Sequence, residues 1–316
     1  MTAPRFKGLF SALGAIAILL LMTLFLVSPA RYAGSVREGI SLWAVSVLPA
    51  TFPFLVLTAL FTRQSVFASL SKKLSPVTGK LFRVSGAGGC GAVLSWLSGY
   101  PVGARAVYDL RESGRLKKEE LLRVSALATT TGPMFLVGVV GAGMFQSNKA
   151  GWLLLISHLV AVWTVCFFLR FKGKNEATMS AFAPQNRSGS LAEILLESVL
   201  SVLTVGASIA IFYALGQMLS DFLILVHFPQ VPYLEGILRG LLEMTSGASI
   251  LSKSPSPLSL GLCCFLVTFG GVCVLVQQWV FLKKTGVSLA PFLLIKFLQG
   301  VLSALICFAL ACVFGV

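Results

Sequence analysis

The chain has 316 residues, of which 56% are hydrophobic and 11% charged, with a mean hydropathy of +0.90; a soluble domain carries roughly 25% charged residues, so a soluble enzyme is excluded. The 25 Lys and Arg against 11 Asp and Glu leave a net charge of +14, a balance that suits nucleic acid, anionic lipid or membrane topology until the charges are placed.

Apolar runs long enough to cross a bilayer, about 20 residues, occur at 9–28, 39–62, 124–145, 150–170, 195–219, 258–282 and 289–314, which predicts seven full spans. The first follows Arg5 and Lys7 as a signal peptide would, but its apolar core exceeds the roughly 7–15 residues of such a leader, so a retained span is expected. Two further stretches, 84–104 and 234–252, are crowded with Gly, Ser and Pro and read as re-entrant hairpins. Backbone that leaves the helix at membrane depth is tolerated only inside protein or beside a wet cavity, so such segments mark a substrate path.

With the N-terminus cytoplasmic and the C-terminus external, 19 cations fall in cytoplasmic segments and 5 in external ones, and Lys296 alone lies within a span. This is the positive-inside bias. Cations spread over loops do not form the single basic face that nucleic acid requires, so no nucleic-acid partner is expected. The seven cysteines show neither C-x-x-C spacing nor a His cluster, and read as buried small hydrophobes rather than a metal site or disulfide framework.

The chain then repeats itself. Residues 36–171 run span, hairpin, interrupted span, span, and residues 194–316 do the same, after a first span in 1–35 and with a cytoplasmic linker at 172–193 between them. The hairpin tips read Ser98-Gly99-Tyr100-Pro101 and Glu243-Met244-Thr245-Ser246-Gly247. The interruptions read Thr129-Thr130-Thr131-Gly132-Pro133 and Thr268-Phe269-Gly270-Gly271. The charge count puts one hairpin between cytoplasmic segments and the other between external ones, so the halves are inverted. Paired Gly/Pro interruptions in inverted halves point to a transporter site near the midplane, where unwound helices offer N–H groups to an anion. Small residues also permit close helix packing, the plainer reading of any one motif.

These motifs resemble the sporulation integral membrane proteins of the YlbJ/SpoVV type, in the nucleoside-recognition Gate domain superfamily. The resemblance covers almost the whole chain. It rests on Leu97-Ser98-Gly99-Tyr100-Pro101-Val102-Gly103-Ala104, Thr131-Gly132-Pro133-Met134-Phe135, Leu242-Glu243-Met244-Thr245-Ser246-Gly247 and Phe269-Gly270-Gly271-Val272-Cys273-Val274. It implies an all-helical fold of about seven spans with two hairpins, and a role in moving dipicolinate, a pyridine dicarboxylate, across the outer forespore membrane toward the spore. The family often carries Asn in the broken span, where this chain has Thr129-Thr130-Thr131, and a His-containing stretch after Phe-Gly-Gly, where this chain has Val274-Leu275-Val276-Gln277.

The candidate substrate-binding set is therefore Ser98, Gly99, Tyr100, Thr130, Thr131, Gly132, Glu243, Thr245, Ser246, Gly247, Thr268, Gly270, Gly271 and Lys296. Glu243, an intramembrane carboxylate, reads as a coupling-ion or proton site, a substrate acceptor, or a tie to free N–H groups in the hairpin. Lys296 is a counter-charge for a dicarboxylate or a residue that snorkels to the interface. His158 reads as packed and hydrogen-bonded, Arg105 as a topological cation, and Tyr100 and Trp96 as stacking partners for an aromatic substrate or interface anchors.

No enzyme is expected, since no P-loop, H-E-x-x-H or Gly-x-Ser-x-Gly occurs. No metal or other cofactor is expected either; an ion or proton gradient, or downhill flow to a trapping compartment, supplies the drive. The partners are a small anion and the bilayer, and a homo-oligomer is compatible with the sequence. The rival readings are a non-transporting scaffold of a sporulation complex and a Gate-type transporter of nucleosides or another small solute.

Overall fold

A computed structural model describes residues 3–61, 64–171, 190–229 and 231–315, and all regular structure among them is helical. Helix α1 (Ala3–Val27) is followed by α2 (Pro29–Leu42), which continues through a π-helical turn (Trp43–Val47) into α3 (Leu48–Phe61). Then come α4 (Ser65–Phe82), α5 (Gly86–Ser98), α6 (Tyr100–Glu112), α7 (Leu121–Ala128), a π-helix (Met134–Met144) and α8 (Asn148–Leu169). The remaining helices are α9 (Leu191–Leu225), α10 (Pro232–Leu242), α11 (Met244–Leu251), α12 (Pro257–Phe269), α13 (Gly271–Thr285) and α14 (Leu289–Phe314).

Among the described residues five helical stretches are long and apolar enough to cross a bilayer: Pro29–Phe61, Asn148–Leu169, Leu191–Leu225, Pro257–Thr285 and Leu289–Phe314. The expected first crossing, 9–28, coincides with α1 (Ala3–Val27). One of the seven expected crossings differs. Residues 124–145 are one hydropathy run but two helices, because three consecutive Thr, then Gly132 ahead of Pro133, disfavour the α-helix, and residues 129–132 are non-helical.

Both hairpins form. Helices α5 and α6 turn at Gly99, whose φ of +94° suits glycine, and α10 and α11 turn at Glu243. The second pair packs through backbone contact, since a Cβ on Gly247 would lie 2.4 Å from the Gly240 Cα. The closing helices α8 and α14 run antiparallel: Lys149 at the start of α8 donates to the Phe314 carbonyl, while Gln299 Nε2 meets Cys166 Sγ near the end of α8 at 3.6 Å. Helix α9 packs along α2 and α3, with Gly39 against Ala210 and Gly206 against the Trp43 ring. An ion pair between Arg31 and Asp221 ties α2 to α9.

Helices α6 and α7 cross so closely that a Cβ on Gly103 would fall 1.9 Å from the Ala128 carbonyl oxygen. Gly103→Ala is expected to cost about 1–3 kcal/mol by forcing the helices apart. Gly79→Ala, where a Cβ meets nothing within 4 Å, is expected to hold stability or raise it by up to about 1 kcal/mol. Thermal unfolding of the purified variants checks the pair; a Gly103→Ala protein that melts with the wild type contradicts the close crossing.

Candidate functional site

A helix that stops inside the protein leaves its last carbonyls without intrahelical partners. At the first break, Leu127 O accepts from Trp96 Nε1 at 2.9 Å and Ala128 O accepts from the Ser95 hydroxyl, both donors lying on α5. Ala126 O accepts from Gln299 Nε2 at 3.0 Å and Thr129 O from Lys296 Nζ at 2.7 Å, both on α14. Ser125 O takes the amide and hydroxyl of Thr129.

The second break is closed in the same way from other elements. The Tyr100 hydroxyl lies 2.7 Å from Val267 O and 2.6 Å from Thr268 O, and Thr131 Oγ1 also donates to Val267 O. Leu266 O takes the Gly270 amide at 2.8 Å, and Cys264 O takes the Ser303 hydroxyl of α14 at 3.1 Å. His158 on α8 joins the two breaks. Its Nε2 accepts from the Thr131 amide at 3.3 Å, which leaves Nδ1 to donate to Thr268 Oγ1 at 2.9 Å. The imidazole is thus a neutral strut between non-helical segments.

The helices that begin at these places are treated differently. Serines cap the outer starts of α5, α8, α9 and α12, namely Ser85, Ser147, Ser190 and Ser256. The interior starts of α6, the π-helix and α13 have no side-chain cap, and neither do the starts of α2, α4, α10 and α14. At α11 the Glu243 carboxylate closes the end: Oε1 accepts from the Thr245 amide at 2.9 Å and Oε2 from the Ser246 amide at 2.6 Å. This buried carboxylate is an N-cap.

Between the two hairpin tips and the first break lies a cleft of about 580 Å3, counting the space at its open mouth. Ser98, Gly99, Tyr100, Thr131, Gly132, Glu243 and Thr245 of the expected set line it. Gly132 packs on the tip, where its Cβ would sit 3.2 Å from the Gly99 amide nitrogen. Thr130, Ser246, Gly247, Thr268, Gly270, Gly271 and Lys296 form the backing layer and do not line the cleft. Gly270 and Gly271, at φ +94° and +67°, let the second break approach Tyr100 and the Gly240 and Leu241 carbonyls. Lys296 stays inside: it is 0% exposed, with Nζ 5.0 Å from the Tyr100 ring centroid.

Among curated proteins, the sporulation integral membrane protein YlbJ of Bacillus subtilis (strain 168) is 26% identical to this chain over 308 aligned residues, covering 85% of this chain and 74% of its own length. The chain is a relative of the YlbJ-type sporulation membrane proteins. No family model and no solved structure matches it.

Several lining residues were not in the expected set. Thr51 on α3 and Gln277 on α13 contribute polar atoms, and Val205 and Ile209 on α9 with Met134 and Phe135 contribute the apolar wall. Gln277 carried a signal, as an amide within an apolar helix; Val205 and Ile209 did not. Trp96 faces away from the cleft, its indole lying 5.3 Å from the Trp163 ring. Arg105 pairs with Glu197 and donates to Ser201 Oγ at 3.0 Å, holding α6 against α9. Because both Glu243 oxygens serve amides, Glu243→Ala is expected to cost about 1–2 kcal/mol, and Glu243→Gln, which accepts at one oxygen only, less. Thermal unfolding checks the order wild type, Gln, Ala; a Glu243→Ala protein as stable as the wild type contradicts the capping role.

Proposed function

We propose that the chain is a secondary membrane transporter of a small organic anion, built from inverted halves at 36–171 and 194–316, and that it acts in sporulation with dipicolinate as its substrate. The observation that carries this reading is an asymmetry of the helix ends. Carbonyl groups at both breaks are taken by protein donors, whereas the amide end of α6 opens uncapped into the cleft at Ser98, Gly99 and Tyr100. Such an end attracts an acceptor or an anion. A surface that sought a cation would leave the carbonyls open instead.

The chemistry of the cleft suits the same reading. Small-molecule sites join apolar walls to a few polar groups, as this cleft does. A pyridine ring would lie against Met134, Phe135, Val205 and Ile209, and a carboxylate against the amides of the first tip, with the Thr131 and Gln277 side chains nearby. The antiparallel α8 and α14 support the inversion of the halves, and the cation count supports a cytoplasmic N-terminus and an external C-terminus in the cell membrane or outer forespore membrane. The YlbJ relative supports the sporulation setting. Movement of the anion requires no covalent step, so neither an enzyme's catalytic residues nor a cofactor enter this account.

Labelled dipicolinate, nucleosides and metal ions supplied to proteoliposomes of verified orientation test the proposal. The wild type is expected to accumulate dipicolinate, and Ala50→Trp, which fills the cleft from α3, is expected to reduce uptake to the level of empty liposomes. No uptake of any of these solutes by the wild type would count against transport; uptake of nucleosides alone would overturn the anion assignment.

A further inference from the structure

Lys296 is a buried basic residue that does not line the cleft. It lies behind the Tyr100 ring, is 0% exposed, and forms no ion pair with a carboxylate among the described residues. Burying an ammonium without a counter-charge is costly, and such residues in membrane proteins serve a function. Satisfying the Thr129 carbonyl does not by itself need a charge. The neighbouring carbonyls of Ala126, Leu127 and Ala128 are met by the neutral donors Gln299, Trp96 and Ser95.

Two of the groups beside the Lys296 nitrogen are ones that a cation accepts. Thr129 O, 2.7 Å away, stands at the C-terminal, negative end of α7, and the Tyr100 ring face lies on another side at 5.0 Å. In broken-helix transporters, carbonyls of unwound segments and helix C-terminal ends coordinate the coupling sodium ion. We propose that the Lys296 ammonium is a tethered cation standing where a coupling sodium ion would bind, so that the protein moves its anion without sodium. The proposal rests on the transport reading for its consequence and on the geometry of the first break for its chemistry. Lys296 is then a positioning residue. It holds the non-helical 129–132 segment, and with it Thr131 and Gly132, against the cleft, and keeps a fixed positive charge one ring's thickness from the substrate.

The test compares sodium with choline at equal ionic strength, reading both labelled dipicolinate uptake and the melting temperature. Wild-type uptake and melting are expected to be the same in the two salts. Lys296→Ala is expected to melt lower and take up dipicolinate about tenfold less or worse in choline, with sodium restoring part of both. Lys296→Arg, which keeps a tethered cation, is expected to melt above Lys296→Ala in choline. Gln299→Leu, which removes a neutral donor one turn along α14, is expected to melt lower without any response to sodium. Wild-type uptake that stops without sodium would overturn the proposal, as would a Lys296→Ala protein that behaves as wild type in choline or whose low melting temperature sodium does not raise. If Lys296→Ala can be purified only in sodium, that is the expected rescue; failure in both salts overturns the idea. Should the wild type carry no dipicolinate, the transport reading fails while the melting comparison still decides the role of Lys296.

Discussion

A helix interrupted within a bilayer exposes carbonyls where it ends and amides where the next helix begins, and hydrocarbon offers neither of them a partner. Two such interruptions lie at the centre of this protein, and the arrangement of the other helices follows from the need to satisfy them. The carbonyls of α7 are reached by Ser95 and Trp96 from the first hairpin and by Gln299 and Lys296 from α14. Those of α12 are reached by Tyr100 from the hairpin tip, by Thr131 from the other break and by Ser303 from α14. Elements distant in sequence are thereby held at one point by their polar atoms rather than by apolar packing, which lipid tails would supply equally well.

Those bonds leave the carbonyl ends closed and most of the interior amide ends open. Glu243 makes the exception informative. It spends its carboxylate on the α11 amides, so the second hairpin meets the cleft as a helix start already neutralised by its own side chain. The first hairpin has no such residue at Gly99 and meets the cleft with its amide end uncapped. The two tips therefore differ in chemistry: one leaves the start of its helix without a side-chain acceptor, and the other presents hydroxyl and apolar atoms beside a satisfied carboxylate. His158 adds rigidity, since its two ring nitrogens bridge Thr131 and Thr268 across the breaks. A neutral imidazole in that place can only be held in one tautomer by both partners at once.

Much of this was legible in the sequence wherever the cause is local. Gly99, Gly270 and Gly271 adopt positive φ, and the Thr-Thr-Thr-Gly-Pro run resists the helix, so the hairpin tip and both interruptions follow from residue type alone. Tertiary consequences were not legible. Hydropathy counts 124–145 as a single crossing because it averages over the interruption. Three successive threonines look alike in sequence, yet only Thr131 reaches the cleft, while Thr129 bonds back to Ser125 and Thr130 is buried behind it. Lys296 could be placed in a span but not given a partner, since Thr129 lies 167 positions away. Val205 and Ile209 enter the wall only because α9 packs across the cleft.

The central claim, closed carbonyl ends and an open amide end facing an anion site, is tested most directly by a structure of the purified protein solved with dipicolinate. The account predicts a carboxylate of the ligand against the Tyr100 amide at the start of α6, with the Tyr100 hydroxyl still on the Val267 and Thr268 carbonyls and Lys296 still on Thr129. Dipicolinate bound only outside the cleft, or a metal ion on the Val267 and Thr268 carbonyls with Tyr100 displaced, would contradict it.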